Sequence, residues 1–390
     1  MDYMLTGMQT VALAVCGMCH ALLGSVKVPL AKKLSIDEAR VGGLVSVFGF
    51  TLIPMVLIFG FLVDAIGKQA VLGAGFGLII VSLITFSRLR TYPIAMLAVL
   101  LLGVGWSALV NVLNVTTPRA FVPEELLKER MSFAMNLGDF IFGMGAFLMP
   151  LLVAYLIRKV RLEKTFLVIS LFEIVPVLIG FGVKWENLVD PQTETVAGGM
   201  KILLSDSVVW LCCIAFFFHV PIEASVATWA TTLMTDKELE NKRISDERAA
   251  MMLSLFWLTF TFSRLVTALA LPHADPILII VLGALGIVFT VLLAKSRNGN
   301  LTAWLVVVIG GILGPIFPTL IAILLGHVES SLHGRAVGIF FCIGGIGWTV
   351  IPMLIGAYAK KMGVRRAFGI TTGCAVVLTI LSVVLYLTLK

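Results

Sequence analysis

The sequence is poor in charge. Only 13% of its 390 residues are Asp, Glu, Lys or Arg, whereas 59% are hydrophobic. A soluble domain cannot bury that much apolar surface, so the composition excludes an ordinary soluble protein. The apolar residues come in repeated blocks, each long enough to cross about 30 Å of hydrocarbon. The sequence therefore predicts an all-α membrane protein, since a β-barrel would show short alternating segments instead.

Other features are absent as well. No basic residue precedes the first apolar block, whereas a signal peptide begins with a basic segment, so we expect that block to be a retained helix. No catalytic cluster and no loop large enough for a soluble domain is visible, which argues against a membrane enzyme or a receptor. We therefore expect no enzymatic activity.

Cysteine is scarce, and all six cysteines lie inside apolar blocks, where they serve as small packing residues. Cys16 and Cys19 have no second pair that would complete a zinc site, so we expect no metal and no cofactor. The net charge of +7 suits a protein beside anionic lipid, and nothing indicates nucleic acid.

Hydropathy predicts twelve transmembrane helices. They lie near residues 5–28, 41–63, 69–87, 93–117, 131–157, 165–183, 207–234, 249–271, 276–294, 301–326, 336–358 and 367–389. The longest polar break is 184–206, and it divides them six and six. We therefore predict an N-terminal six-helix bundle over 1–183, a cytoplasmic linker over 184–206, and a C-terminal six-helix bundle over 207–390.

An internal repeat supports two pseudo-symmetric bundles. The fifth helix contains Gly143-x-Gly145-x-x-x-x-Pro150-x-Leu152, and the eleventh contains Gly345-x-Gly347-x-x-x-x-Pro352-x-Leu354. Glycines let membrane helices approach each other closely, and a proline frees a carbonyl. Because the two helices hold equivalent positions in a six-plus-six arrangement, the match indicates duplication.

The turn after the second helix carries the most specific signal. Gly60, Leu62, Asp64, Gly67 and Lys68 follow the order and spacing Gly-x-Leu-x-Asp-x-x-Gly-Lys. This pattern resembles the signature of the major facilitator superfamily between its second and third helices. The resemblance implies the major facilitator fold and a gating role for this turn on the cytoplasmic side, centred on Asp64. The corresponding turn of the second half, after Ser263-Arg264, lacks the full pattern, so we expect an asymmetric arrangement, with Arg264 as a further gating residue and a partner for an acid elsewhere.

Two signals for orientation disagree. The family resemblance places both termini in the cytoplasm, whereas the loops that would then face outward hold most of the Lys and Arg residues, which predicts the reverse. We adopt cytoplasmic termini because the Asp64 turn is the more specific signal.

An ionisable side chain inside the membrane raises the free energy of insertion by about 2.5–3.5 kcal/mol, so each one calls for a structural or functional explanation. The candidates are His20, Asp139, Glu173, His219, Glu223 and Arg264. Glu223 shares a helix face with His219 beside Pro221, and a carboxyl in such surroundings can exchange a proton. Asp139 is the alternative proton-coupling residue. For each residue, a structural pairing is the competing interpretation.

The fourth helix places Trp106, Asn111 and Asn114 near one face. Aromatic and amide groups on one wall bind sugars by stacking and hydrogen bonds, although the same residues also pack and join helices. With Asn136, Trp229 and His20 they form the predicted substrate site.

Several stretches are similar to the fucose/galactose/glucose:proton symporter branch of the superfamily. They include Gly103-Val-Gly105, Glu223 with Trp229, and Gly314-Pro315 with Pro318. The branch has an acid after the glycines of its fourth helix, and this chain has only Ala108, Leu109 and Val110 there.

We therefore predict a monomeric secondary transporter in the plasma (inner) membrane that moves a small polar solute, a monosaccharide, by alternating access with proton coupling. The alternatives are a sugar uniporter, an exporter of amphipathic compounds, and an organic-anion carrier. Its partners are the substrate, protons and the lipid bilayer.

Overall fold

The computed structural model describes residues 2–188, 196–236, 239 and 242–390, and these form helices without a strand. The helices are α1 (Tyr3–Ser25), α2 (Lys27–Leu34), α3 (Glu38–Ile66), α4 (Lys68–Ser87), α5 (Tyr92–Phe121), α6 (Met131–Lys159), α7 (Leu162–Gly180), α8 (Val196–Ser205), α9 (Ser207–Thr235), α10 (Asp246–Ala270), α11 (Pro276–Lys295), α12 (Gly299–Leu313), α13 (Ile316–His327), α14 (His333–Met362) and α15 (Val364–Leu389).

Each of the twelve predicted membrane segments is helical, so the predicted architecture is confirmed. Eleven helical segments of the described chain are long and apolar enough to cross a bilayer. The remaining predicted span corresponds to α7, which is 19 residues long and carries Glu163, Lys164 and Glu173. The burial of Glu173 against a neighbouring helix, described below, explains how α7 tolerates an acid.

The structure differs from the prediction at three places. The first predicted helix, 5–28, ends at Ser25, and the short helix α2 follows it. The predicted helix 301–326 is two helices, α12 and α13, because Pro315 has no backbone N–H to continue the hydrogen-bond pattern of the helix. The predicted linker 184–206 contains α8, and its residues 189–195 lie outside the described part of the chain.

Short polar side chains begin many of the helices. Asp2, Asp37, Asp206, Ser245, Asp275 and Asn298 each accept a hydrogen bond from a backbone N–H of the helix that follows. Such caps satisfy the free N–H groups of a first helical turn. The helix boundaries are therefore determined locally.

The chain divides into two units, which are described separately. Unit 1 contains Met1–Leu127, Gly138–Leu203 and Val328–Cys342, and unit 2 contains Lys128–Leu137, Leu204–His327 and Ile343–Lys390. Helices α6 and α14 contribute residues to both units. The division into 1–183 and 207–390 stays a prediction.

The repeated glycines have the same role in each unit. A Cβ atom on Gly145 would lie 1.8 Å from the carbonyl oxygen of Ala14 in α1. A Cβ atom on Gly347 would lie 2.3 Å from the carbonyl oxygen of Phe217 in α9. Backbones this close admit only glycine, so the repeat fixes the contact between the fifth helix and the first helix of each half.

Candidate functional site

The turn that contains Asp64 positions a carboxylate against a helix distant in sequence. Gly67 has φ +91°, which allows α3 to end and α4 to begin at Lys68. One Asp64 oxygen accepts the backbone N–H of Gly334 at 3.0 Å. The other accepts the backbone N–H of Arg335 at 3.0 Å and its Nε–H at 2.8 Å. We call this set of bonds the Asp64–α14 contact.

The Asp64–α14 contact is buried and charge-assisted. The side chains of Asp64 and Arg335 are only 8% and 5% exposed. Gly334 and Arg335 lie in the first turn of α14, whose free N–H groups and helix dipole favour an anion. The carboxylate therefore both caps α14 and neutralises Arg335, and removing one partner of such a pair costs about 3–5 kcal/mol.

Glycines bring the two backbones of this contact together. A Cβ atom on Gly60 would lie 2.5 Å from the carbonyl oxygen of Gly334, and a Cβ atom on Gly334 would lie 2.4 Å from Asp64 Oδ1. Asn111 joins the same place, because its Nδ2 donates to the carbonyl oxygens of Val56 at 3.1 Å and Gly334 at 3.3 Å. Gly60 thus permits the close approach of α3 and α14, and the side chain of Asn111 bridges the two helices by hydrogen bonds.

The ammonium of Lys68 donates to the carbonyl oxygen of Leu188. The corresponding turn of the second half, which lacks the full pattern, makes a related but uncharged contact. There the carbonyl oxygen of Pro272 accepts the backbone N–H of Phe133 at 3.0 Å. Phe133 stands ten residues before Gly143, as Arg335 stands ten before Gly345. The backbone N–H groups of Arg335 and Phe133 therefore hold equivalent positions in the repeat. The first donates to a carboxylate, and the second donates to a carbonyl oxygen.

An aromatic cluster surrounds His20 in unit 1. The ring centroid of His20 lies 5.1 Å from that of Trp106, 5.8 Å from that of Phe142 and 6.4 Å from that of Phe48. Trp106 is 7% exposed, and its indole N–H donates to the carbonyl oxygen of Cys16 at 3.1 Å. These four residues come from α1, α3, α5 and α6, and we call them the His20 cluster.

The amides predicted to bind substrate are engaged within the protein. Asn114 donates to the carbonyl oxygen of Val110 at 2.8 Å, one turn earlier in α5. Asn136, fully buried in unit 2, donates to the carbonyl oxygen of Ser132 at 3.0 Å. Asp139 is half-buried in unit 1. The structure thus places His20 beside Trp106, and it places Asn111 at the Asp64–α14 contact.

The remaining predicted residues lie in unit 2. Glu223 and Trp229 are half-buried in α9, and the hydroxyl of Ser225 donates to the carbonyl oxygen of Pro221 at 2.5 Å. Arg264, 7% exposed, donates to the carbonyl oxygen of Gly314 at 3.0 Å and lies 4.4 Å from the ring centroid of Phe260. His219 is fully buried, and neither ring nitrogen has a hydrogen-bond partner among the described residues.

Glu173 is fully buried between α7 and α1. Its Oε1 accepts the thiol hydrogen of Cys19 at 2.9 Å. Cys19 is thus a hydrogen-bond donor, whereas the sequence indicated packing alone.

No group of three metal-ligating side chains occurs among the residues that the structure describes.

Sequence reasoning missed Arg335 as the partner of Asp64. The local signal that could have indicated it is Gly334-Arg335 with Gly338, at the start of an apolar helix and after a short polar loop. Its partner is 271 residues away, which no local pattern specifies.

The family model of the Major Facilitator Superfamily matches residues 10–352. The chain belongs to the Major Facilitator Superfamily. It is therefore a multi-pass integral membrane protein and a transporter of that superfamily.

Two curated proteins are similar to this chain in sequence. A glucose/galactose transporter of Brucella abortus biovar 1 (strain 9-941) is 25% identical over 158 residues, which cover 40% of this chain and only 37% of that relative. Bypass of stop codon protein 6 of Saccharomyces cerevisiae (strain ATCC 204508 / S288c) is 22% identical over 326 residues, covering 74% of this chain and 63% of that protein.

Solved structures of other transporters share the fold. The E. coli fucose:proton symporter FucP has a TM-score of 0.82 at 14% identity, with 97% of this chain and 98% of that chain covered. The human organic anion transporter MFSD10 (TETRAN) has a TM-score of 0.77 at 14% identity, with 97% and 99% covered. At these identities the likeness supports the fold alone.

Proposed function

We propose that this superfamily member is a secondary transporter that moves a monosaccharide across the plasma (inner) membrane by alternating access, as a monomer with both termini in the cytoplasm. The observation that carries the transport cycle is the Asp64–α14 contact. It is a compact set of bonds between segments about 270 residues apart. Such a contact holds one conformation and can be released as a unit.

The His20 cluster supports a sugar as substrate. Aromatic faces bind the apolar faces of sugar rings, and an imidazole offers a hydrogen bond to a hydroxyl group. The partial sequence similarity to a glucose/galactose transporter favours the same class. Trp106 and His20 are the residues we expect to contact the ring, with Asn114, Asn136 and Trp229 as further candidates and Asn111 assigned to the conformational contact.

Proton coupling is proposed through Glu223 or Asp139. Glu223 and Asp139 are half-buried residues of membrane helices, whereas Glu173 is fully buried and bonded to Cys19. A partly accessible acid can exchange its proton as the protein changes conformation, which an enclosed acid cannot do as readily.

An organic anion is the second candidate substrate. Arg264 is buried in unit 2, and both nitrogens of His219 lack hydrogen bonds within the described residues. A guanidinium and an imidazole together suit a carboxylate.

The test is uptake into proteoliposomes of a panel of labelled monosaccharides, with and without an inward-acid gradient. Accumulation above equilibrium only with the gradient supports proton symport, and equilibration regardless of the gradient supports a uniporter. Uptake of labelled carboxylates with no flux of any sugar contradicts the sugar proposal and favours the second candidate.

A further inference from the structure

A basic cavity of about 440 Å³ lies where α6 ends and α7 begins. It is lined by Ile157, Arg158, Lys159, Val160, Arg161 and Lys164, so four of its six lining residues are cationic. All four cationic side chains are exposed. Neither the conformational contact nor the proposed substrate site uses them.

The surrounding charges leave this cavity positive. Glu163 is the one acid between Ile157 and Lys164, and it forms an ion pair with Lys33 of α2. The acid is therefore compensated by a cation from outside the cavity. Clustered cations around a concave surface attract an anion with several oxygens, such as a phosphate.

Apolar surface runs from this cavity along both helices. On α6, Leu151 and Tyr155 precede Lys159 at intervals of four residues and are 57% and 61% exposed. On α7, Leu167 and Leu171 follow Lys164 at intervals of three and four residues and are 43% and 61% exposed. Residues at these intervals share one helix face, so each exposed apolar stripe ends in a cation of the cavity.

The position of the cavity between the ends of two membrane helices indicates that it lies at the level of lipid headgroups. The apolar span of α6 ends at Lys159, and α7 begins at Leu162, so the residues between them form the connection at the end of two membrane helices. A positive cavity at this level, continued by apolar stripes along the helices, matches the shape and polarity of a phospholipid.

We propose that this cavity binds the phosphate of an anionic phospholipid, whose acyl chains lie along the exposed faces of α6 and α7. A soluble phosphate would use only the cations and would leave the apolar stripes without a role. This inference is independent of which solute the protein transports.

The repeat supplies a matched control. Lys360, Lys361 and Arg366 stand in the connection between α14 and α15 at the positions equivalent to Arg158, Lys159 and Lys164. There the intervening Arg365 is buried and bonded to the carbonyl oxygens of Ser296 and Leu233, so part of that basic cluster is used for packing. Removing either set of three charges changes the net charge equally.

The experiment is native mass spectrometry of the full chain in neutral detergent, titrated with phosphatidylglycerol or phosphatidylcholine. We compare wild type with the triple variant Arg158→Gln/Lys159→Gln/Lys164→Gln and with the control Lys360→Gln/Lys361→Gln/Arg366→Gln. Each cation that contacts the lipid phosphate contributes about fivefold to binding, so the first triple variant should bind phosphatidylglycerol on the order of 100-fold more weakly. The control should stay within about threefold of wild type, and phosphatidylcholine binding should not change in either variant.

Equal losses in the two triple variants, or no loss in either, overturn the proposal. Displacement of the lipid by glycerol phosphate at equal concentration would assign the cavity to a soluble phosphate instead. If circular dichroism shows that a triple variant does not fold, the single variants Lys159→Gln and Lys361→Gln are compared. Weakening of about fivefold in Lys159→Gln alone supports the site, and equal binding by the two single variants overturns it.

Discussion

At the scale of single residues, Asp64 is the acid whose role is best defined by its contacts. It accepts three hydrogen bonds from the first turn of α14, two from the backbone N–H groups of Gly334 and Arg335 and one from the Arg335 side chain. A neutral amide of the same shape would turn an NH₂ group toward one of these donors and lose the charge assistance.

We therefore predict that Asp64→Asn slows transport by about tenfold or more while KM stays within about twofold, because the contact acts on the conformational cycle. Initial rates of uptake over a range of substrate concentrations measure both quantities. Asp275→Asn is the control, since Asp275 caps its own helix α11 at an exposed position. A raised KM with an unchanged maximum rate would contradict the proposed gating role.

A second residue-scale prediction concerns pH. Partial burial alone raises the pKa of Asp206, but hydrogen bonds from His327 and from the amides of Val209 and Val208 outweigh it, so the pKa is lowered. A carboxyl with a lowered pKa stabilises the folded protein above its unfolded pKa of about 3.9, and this stabilisation is lost as pH falls through the folded value.

The thermal unfolding temperature in detergent should therefore fall more steeply below about pH 4 in the wild type than in Asp206→Asn. The difference is expected to correspond to no more than about 1 kcal/mol, because the pair is partly exposed. His327→Gln should also reduce the pH dependence. Identical pH profiles for the wild type and Asp206→Asn would show that the pair contributes nothing.

At the scale of helices, the repeated glycines determine how closely neighbours pack. Gly145→Ala and Gly347→Ala each place a methyl group within 2.3 Å of a carbonyl oxygen, so the helices must separate. We expect each substitution to destabilise the protein by about 1–3 kcal/mol, as overpacking does.

Gly73→Ala in α4 is the matched control, because an added Cβ there meets nothing within 4 Å. It should be neutral or stabilising by up to about 1 kcal/mol, since alanine favours a helix over glycine. Unfolding temperatures by circular dichroism compare the three variants. Equal stability of Gly145→Ala and Gly73→Ala would show that the close approach has no energetic role.

Much of the helical architecture could be predicted from the sequence, because long apolar runs, capping residues and Pro315 act locally. The contacts of the candidate site could not. Helical spacing placed Asn111 beside Trp106 and Asn114, but Asn111 bonds to the backbones of α3 and α14, which approach at Gly60 and Gly334. That approach depends on the packing of distant segments, and a single sequence does not specify it.

At the scale of the whole molecule, the proposed coupling predicts different roles for the acids within the membrane helices. In the double variant Glu223→Gln/Asp139→Asn, accumulation driven by a proton gradient should be lost while downhill exchange of substrate continues. Glu173→Gln should keep gradient-driven accumulation, because the amide oxygen can still accept the bond from Cys19.

Counterflow and gradient-driven uptake in proteoliposomes separate these two activities. Full accumulation by the double variant would show that neither Glu223 nor Asp139 couples protons to transport. Loss of accumulation in Glu173→Gln would assign proton coupling to Glu173 in α7.

The bond between Cys19 and Glu173 also bears on how the protein is made. Translation inserts α1 into the bilayer long before α7 emerges from the ribosome, so the thiol is already in place when the acid arrives. A carboxyl in hydrocarbon opposes insertion by about 2.5–3.5 kcal/mol, and α7 carries two further charged residues in its first turn. The order of synthesis thus provides α7 with a hydrogen-bond partner that is already in the membrane, and a variant whose N-terminal residues are deleted through Cys19 should leave α7 poorly inserted.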